Sequence, residues 1–461
     1  MDITKVLADF IAELTYEKLP DSVIQQTKLY IADYLASSVA GEKINSKFNT
    51  GMWAIVSESA GKEEASVLHQ KQLLPVEQAG FMNGIYAHGA DMDDGNRKAM
   101  GHVAASVMSA VFAFAETMEK VSWNQVIVAI NAGYEVYNRV AASAQPGLVH
   151  RGFHSTGTAG IIACAAACAK LMKLDAIGIF NAMSIAAIQA SGLIIIAESG
   201  QSCKPLNPAN AARGGIISAK LAKAGIEGPV NPLESKKGWL HAMTDVANLE
   251  MLTENLGKTF TICESYLKPY PSCRHTHCGI EAVCEIRNQI IKENGNFSFE
   301  DIEEVNVYTY RNAIQIAGQI QIPATADDAK FSIHYSLAVA LLNGYFGLDD
   351  LVVPGSESDV CKLISKIKLI EDETMENVKE GIRGAKVLVK LKNGKEYSNT
   401  VTIPKGDAAN PMTWEDMEAK MKACFKGICD TEESIAVIEK IKSISPEMPY
   451  TPACRFVPAK K

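Results

Sequence analysis

The sequence predicts a mostly α protein: a large all-α domain followed by a smaller α+β domain. Three observations carry that reading. Apolar residues recur at helical spacing through roughly the first 260 positions, alternating β-branched runs begin only after about Thr261, and Asn393-Gly394 joins two such runs. The 461 residues, 47% of them apolar and 21% charged, are enough for more than one packed domain and too apolar for disorder.

The helical part begins with Ile3, Val6, Leu7, Phe10, Ile11 and Leu14, the spacing of one buried face. Ser22 is the expected cap of the next helix, whose stripe runs through Val23, Ile24, Leu29, Ile31 and Leu35. Residues 103–118, 123–142, 156–171 and 175–189 are rich in Ala, Ile, Val and Met on more than one face, as central helices are. The most apolar run, 184–197, contains Gln189 and Ser191 and is too short for a bilayer, so a buried helix is expected there. After Thr261, residues 302–310 and 364–370 alternate as strands, 385–391 and 397–403 form a hairpin about Asn393-Gly394, and 279–294 and 331–342 fit helices between them. From Thr413 the helical period returns, and this tail can complete either domain.

Several functions lose support at once. Lys plus Arg number 45 against 53 Asp plus Glu, a formal charge of −8 with no basic stripe, which argues against a nucleic-acid partner. The start, MDITKVLADF, lacks the pattern of a signal peptide, and eleven scattered cysteines fit reduced thiols in a cytoplasm. No nucleophile elbow, dinucleotide-binding fingerprint or His-Glu-x-x-His is present.

Four polar clusters interrupt the apolar background. The first, His88 to Arg97 followed by Gly101-His102, holds Asp91, Asp93 and Asp94. Read as a calcium loop it lacks the terminal Glu, since His102 occupies the twelfth position, and the plainer reading is a solvated acidic loop capping the helix that follows. The second, Arg151-Gly-Phe-His154-Ser-Thr-Gly-Thr158, precedes an Ala-rich helix that Ser155 or Thr156 can cap, with His154 beside free backbone N–H groups. The third, Glu198 to Arg213, carries Lys204 on a polar loop and fails as a Walker motif. The fourth, Lys268-Pro-Tyr-Pro-Ser-Cys273-Arg274-His275-Thr-His277-Cys278, has no Cys-x2-Cys pair. It reads as an anion-binding junction built from Lys268, Arg274 and the histidines rather than a zinc site. Cysteine spacing elsewhere also misses the ferredoxin patterns.

These clusters, in this order and together with GYEV (133–136), KPLNPANAARGG and AKFSIHYSLAVAL (329–341), resemble the MmgE/PrpD family over nearly the whole chain. The family includes 2-methylcitrate dehydratase, cis-aconitate decarboxylase and iminodisuccinate epimerase. The resemblance implies a helical domain of residues 1–267 plus 406–461 and an α+β lid domain of residues 268–405. It further implies a homodimer, no cofactor and no metal, and a small-molecule carboxylate substrate. Carried over by motif, Asp91, His102, His154, Lys204 and Lys268 are the expected catalytic residues. Arg274, His275 and Cys273 are expected at the substrate. Two departures stand out: Gly95 where the family often has Thr, and Cys273 where the cis-aconitate decarboxylase branch has His, which argues against that reaction because a thiol does not replace an imidazole as proton donor. The reading that follows is a cofactor-independent lyase removing a proton α to a carboxylate, most simply a 2-methylcitrate-dehydratase-like hydro-lyase. An epimerase of an iminodisuccinate-like dicarboxylate, a non-catalytic carboxylate-binding protein and an aconitase-like iron–sulfur enzyme are the alternatives.

Overall fold

The structure, a computed structural model, describes residues 2–58, 61–196, 202–377 and 382–459. It divides into two compact units: residues up to Ile196, Cys203–Leu267 and the tail from Thr413 form the first, and Ser202 with the described residues of Lys268–Met412 form the second.

The first unit is helical, and small residues set its packing. Leu206–Lys223 lies against Gly160–Leu171 and Val76–His88. A Cβ on Gly215 would stand 2.3 Å from that of Cys164, and one on Gly84 would stand 2.9 Å from the Ala209 Cα. Only glycine lets these backbones approach so closely. Gly41, in the long helix Asp21–Ile44, meets Gly89 in the same way: a Cβ on Gly41 would lie 2.0 Å from the Tyr86 carbonyl and 2.9 Å from the Gly89 Cα. Trp123–Ser143, opened by a Ser122/Gln125 capping box, packs on Gly160–Leu171. The tail helices Trp414–Phe425 and Thr431–Lys442 pack on Asp21–Ile44, so the tail belongs to this unit.

Two expectations fail here. The second helix begins at Asp21 after Pro20, one residue before Ser22, because proline suits the start of a helix whose first N–H groups are unpaired anyway. The apolar run from Ser184 is not a buried helix. The helix Ala176–Ala187 ends near its start, Ile188, Leu193 and Ile195 are more than half exposed, and Gly192, beyond the helix end, takes a φ of 123° that a helix does not hold.

The second unit holds a four-stranded sheet in the order 367–371, 302–309, 385–391, 396–401. Val305 pairs parallel with Ile367, whereas Val307↔Val387 and Leu388↔Ser398 pair antiparallel. Val305, Val307 and Thr309 are buried in alternation, the pattern of a sheet with one covered face. His277–Asn294 covers the hairpin strands, packs on Ile333–Asn343, and ends at Gly295 with a left-handed φ of 82°. Among the described residues, no helix is long and apolar enough to cross a membrane.

Candidate active site

The acidic segment after Val76–His88 is buried, not solvated as the sequence suggested: Asp91, Asp93 and Asp94 are at most 3% exposed. Each carboxylate has separate work. Asp94 Oδ1 accepts the N–H groups of Val103 (3.2 Å) and Ala104 (2.9 Å), capping the helix Ala104–Glu116, and Oδ2 accepts the Tyr134 hydroxyl at 2.6 Å. Burial nevertheless pushes its carboxyl up to about 7, against the pull of Tyr134 and the Ala104 N–H. Asp93 Oδ2 accepts His88 Nδ1–H at 2.8 Å and stands 3.4 Å from His102 Nδ1. Burial raises this group too, but His102 and His88 together override it and hold Asp93 ionised, well below the usual range. Asp91, with a left-handed φ of 51°, pairs with Lys204 Nζ at 2.5 Å. Asp tolerates that conformation better than most residues, and such strain is characteristic of functional loops. With all three carboxylates so engaged, the calcium-loop reading has no free oxygen cage to stand on.

The histidines are held in opposite tautomers. His102 Nδ1 lies 2.7 Å from the Asp94 carbonyl, which only accepts, so Nδ1 carries a proton and the neutral form of the ring has its lone pair on Nε2, 3.9 Å from Asp91 Oδ1. For His154 the sense reverses. The Asn207 amide nitrogen lies 2.9 Å from His154 Nδ1 and 3.2 Å from the Leu193 carbonyl, so it is the donor to both, and His154 bears its proton on Nε2. Burial, reinforced by Lys204, holds His154 well below its ordinary pKa, and burial lowers His88 to about 4. Both are neutral near pH 7. The His88 and His102 rings meet edge-on at 4.6 Å and His88 lies 6.2 Å from His154.

Asp91, His102, His154 and Lys204 therefore come together in the first unit, on segments far apart in sequence. The expected cap at Ser155 or Thr156 does not form. Ser155 Oγ donates to the Met100 carbonyl, Thr156 Oγ1 accepts the His102 N–H, and the helix Gly160–Leu171 has no side-chain cap. These hydroxyls hold the His102 segment instead. The Glu198–Gln201 part of the third cluster lies outside the described residues.

The fourth cluster belongs to the second unit. Lys268 is 1% exposed and Cys273 is buried, with its backbone N–H on the Lys330 carbonyl. Arg274 donates to the Lys405 and Pro404 carbonyls and lies 3.8 Å from Asp407, which ties it to its own unit. His275 Nδ1 bonds the Tyr310 hydroxyl, His277 Nε2–H donates to the Ser272 carbonyl, and Cys278 reaches the Arg383 carbonyl. These side chains diverge rather than converge as zinc ligands do.

Sequence reasoning missed His88, Asp93 and Asn207, which lie against or orient His102 and His154, and Tyr266. Gly95 pairs with Tyr266 across a short antiparallel ladder, and a Cβ there would lie 2.4 Å from the Tyr266 hydroxyl. The tyrosine occupies the room that a larger residue at position 95 requires, so the glycine is matched by its neighbour.

The helical scaffold thus buries three histidines around a carboxylate–ammonium pair, groups whose chemistry is the giving and taking of protons. The chain matches the MmgE/PrpD N-terminal domain over residues 5–252 and the MmgE/PrpD C-terminal domain over residues 270–443. It belongs to the MmgE/PrpD family. Curated relatives include a cis-aconitate decarboxylase-like protein of Aspergillus oryzae, 25% identical over 461 aligned residues covering 96% of this chain and 94% of the relative. The human cis-aconitate decarboxylase is 26% identical over 95% of this chain and 91% of its own length, and that of Aspergillus terreus is 24% identical over 96% and 94%.

Proposed function

We propose that the protein is a lyase acting on a di- or tricarboxylate through proton abstraction α to a carboxylate, as a hydro-lyase in the first instance. The observation that carries this reading is the opposed tautomer pair: a lone pair on His102 Nε2 and a proton on His154 Nε2. His102 removes the α proton. Neutral His154 donates a hydrogen bond to the carboxylate oxygen on which charge then builds, without having to ionise. Lys204 is the anchor for a substrate carboxylate, and Asp91 holds its ammonium in place. When the carbon–oxygen bond breaks, its electron pair leaves with hydroxide, the former C–H pair becomes the alkene, and the proton on His102 completes water. Asp93, ionised 3.4 Å from His102 Nδ1, stabilises the imidazolium formed on the way. Lys268 is proposed as a second cation for the substrate.

Decarboxylation is the second reading, supported by the names of the relatives. There the electron pair comes from the C–C bond, carbon dioxide leaves, and an imidazolium returns a proton to carbon. Cys273, in place of an imidazole, counts against it. Proton NMR in D2O of chelator-treated protein with citrate, 2-methylcitrate, cis-aconitate, malate and iminodisuccinate tests both. Loss of water to a new alkene supports the hydro-lyase. Itaconate-type vinyl signals with carbon dioxide release support the decarboxylase, and deuterium wash-in without alkene points to epimerisation. Binding without any of these leaves a carboxylate-binding protein.

A further inference from the structure

We propose that His88, Asp91 and His102 form a site for a zinc-class divalent cation, which enters by displacing the Lys204 ammonium and so switches the proton-transfer site off. Among the described residues this is the group with metal-ligand chemistry: one ligand atom from each lies within 4.8 Å of those from the other two, and all three side chains are buried. Two imidazoles and one carboxylate suit zinc, cobalt or iron rather than calcium or magnesium.

Two independent features support it. The first is a nitrogen with nothing to do. His88 Nε2 is buried and has no hydrogen-bond partner, although its ring is wholly enclosed, and a bare imidazole lone pair costs free energy unless something is meant to meet it. The second is the arrangement behind the ligands. His88 gives its other N–H to the Asp93 carboxylate, and His102 gives its own to the Asp94 carbonyl. Those contacts fix both rings with Nε2 as the ligand atom, the carboxylate–histidine and carbonyl–histidine pairing that orients metal-bound imidazoles.

In the structure Lys204 Nζ holds the Asp91 oxygen at 2.5 Å, so a cation already stands at the carboxylate corner of the triad. A divalent ion and an ammonium cannot share that corner, so the two compete. Ligand bonds near 2.1 Å place tetrahedral ligands about 3.4 Å apart. His102 Nε2 and Asp91 Oδ1 are at 3.9 Å, so modest closure of the triad completes the site. The consequence for turnover rests on the proposed function, because the ion takes the lone pair with which His102 would accept the substrate proton. The binding itself does not depend on that reading.

The test is anaerobic titration of the full-length, chelator-stripped, reduced protein with Co2+, read by visible absorption. Wild type is expected to take up one equivalent with ligand-field bands and without the near-ultraviolet band of thiolate coordination, which separates this site from the eleven cysteines. His88→Ala and Asp91→Asn should each weaken binding at least about tenfold. His102→Ala, at the more exposed corner, serves if the His88 variant does not fold. Lys204→Met should tighten binding about tenfold or more, because it removes the competitor. The proposal is overturned by no uptake in wild type, by a thiolate spectrum, by affinity indifferent to His88 and His102, or by affinity unchanged in Lys204→Met. If the titration behaves as expected and Co2+ or Zn2+ also halts turnover at the binding midpoint, the switch is established. Uptake with undiminished turnover overturns the switch and points back to a different base in the reaction.

Discussion

Removing one charge from the tail should strongly destabilise the scaffold beneath the acidic loop. Lys420 and Asp33 are 1% and 0% exposed at the side chain, their Nζ and Oδ1 are 2.5 Å apart, and the same ammonium donates to the Met92 carbonyl at 2.7 Å, between Asp91 and Asp93. Lys420→Met keeps the length of the side chain and strands the Asp33 charge. Breaking one side of a buried pair in this way costs about 3–5 kcal/mol. That is a large part of the roughly 5–15 kcal/mol that holds a domain together. Replacing both partners, Asp33→Leu with Lys420→Met, removes the stranded charge and loses mainly the Lys420 hydrogen bond to the Met92 carbonyl, which keeps the Ser37 hydroxyl as donor, at about 1 kcal/mol. The assay is urea unfolding followed by tryptophan fluorescence. All four tryptophans, Trp53, Trp123, Trp239 and Trp414, belong to the first unit, so the signal reports that unit alone. A loss below about 1 kcal/mol for Lys420→Met, or a double variant no better than the single one, refutes the argument that desolvation of an unpaired charge dominates here.

Other outcomes follow from the same geometry. His102→Ala and His154→Ala should each lower turnover by about 10²–10⁴-fold with unchanged circular dichroism, measured by NMR on whichever substrate is turned over. Gly41→Ala drives a methyl into the Tyr86 carbonyl and Gly89, so it should destabilise by about 1–3 kcal/mol in urea and lower turnover through the displaced Asp91 segment. Gly95→Thr alone should destabilise because of the Tyr266 ring, and Tyr266→Ala in the same chain should relieve it, as a double-mutant cycle on the urea midpoint would show. Burial holds Glu116 above its ordinary pKa, against two hydrogen bonds from Ser66. Its folded value exceeds its unfolded one, so its contribution is complete in acid, below the unfolded pKa, and is lost as pH rises through the folded pKa. Glu116→Gln removes that titration and should gain stability relative to wild type at pH 8 but not at pH 4.

The legible parts of the sequence were those with a period. Most of the central helices, the strands 302–309 and 385–391 and the turn at Asn393-Gly394 stand within a residue or two of their expected places, because burial imposes a repeat of 3.6 or 2, whereas the helix expected over 156–171 is continuous only from Gly160. The tail was not legible, since its helical period says nothing of which surface it covers; long-range pairs tie it down, Lys420 with Asp33, Lys28 with the Lys442 carbonyl and Lys43 with the Cys424 carbonyl. Charge also misled. Asp93 and Asp94 looked like a wet loop because no cation stands among them, and their pairing with nearby His88, with Tyr134 and with the start of the next helix is set by the fold. The four motif residues Asp91, His102, His154 and Lys204 were found by resemblance. The amide that fixes a tautomer, Asn207, stands inside the KPLNPANAARGG motif, yet the motif does not give its task, because an asparagine is informative only once its donor and acceptor are seen.

The path of the chain carries a consequence for its synthesis. The first unit is begun by the amino-terminal residues and finished by those after Thr413, with Lys268–Met412 made in between. At about 5–20 residues per second the ribosome needs something on the order of 10–30 s to make that intervening stretch. For that time the long helix Asp21–Ile44 waits with Asp33 uncovered and the apolar seat of Trp414–Phe425 open to water. The second unit is complete before the first can close. A nascent chain of this design has its greatest need of a chaperone late, and a ribosome that stalls just past position 400 leaves a product without Trp414–Phe425 and Thr431–Lys442, the two helices that cover Asp21–Ile44.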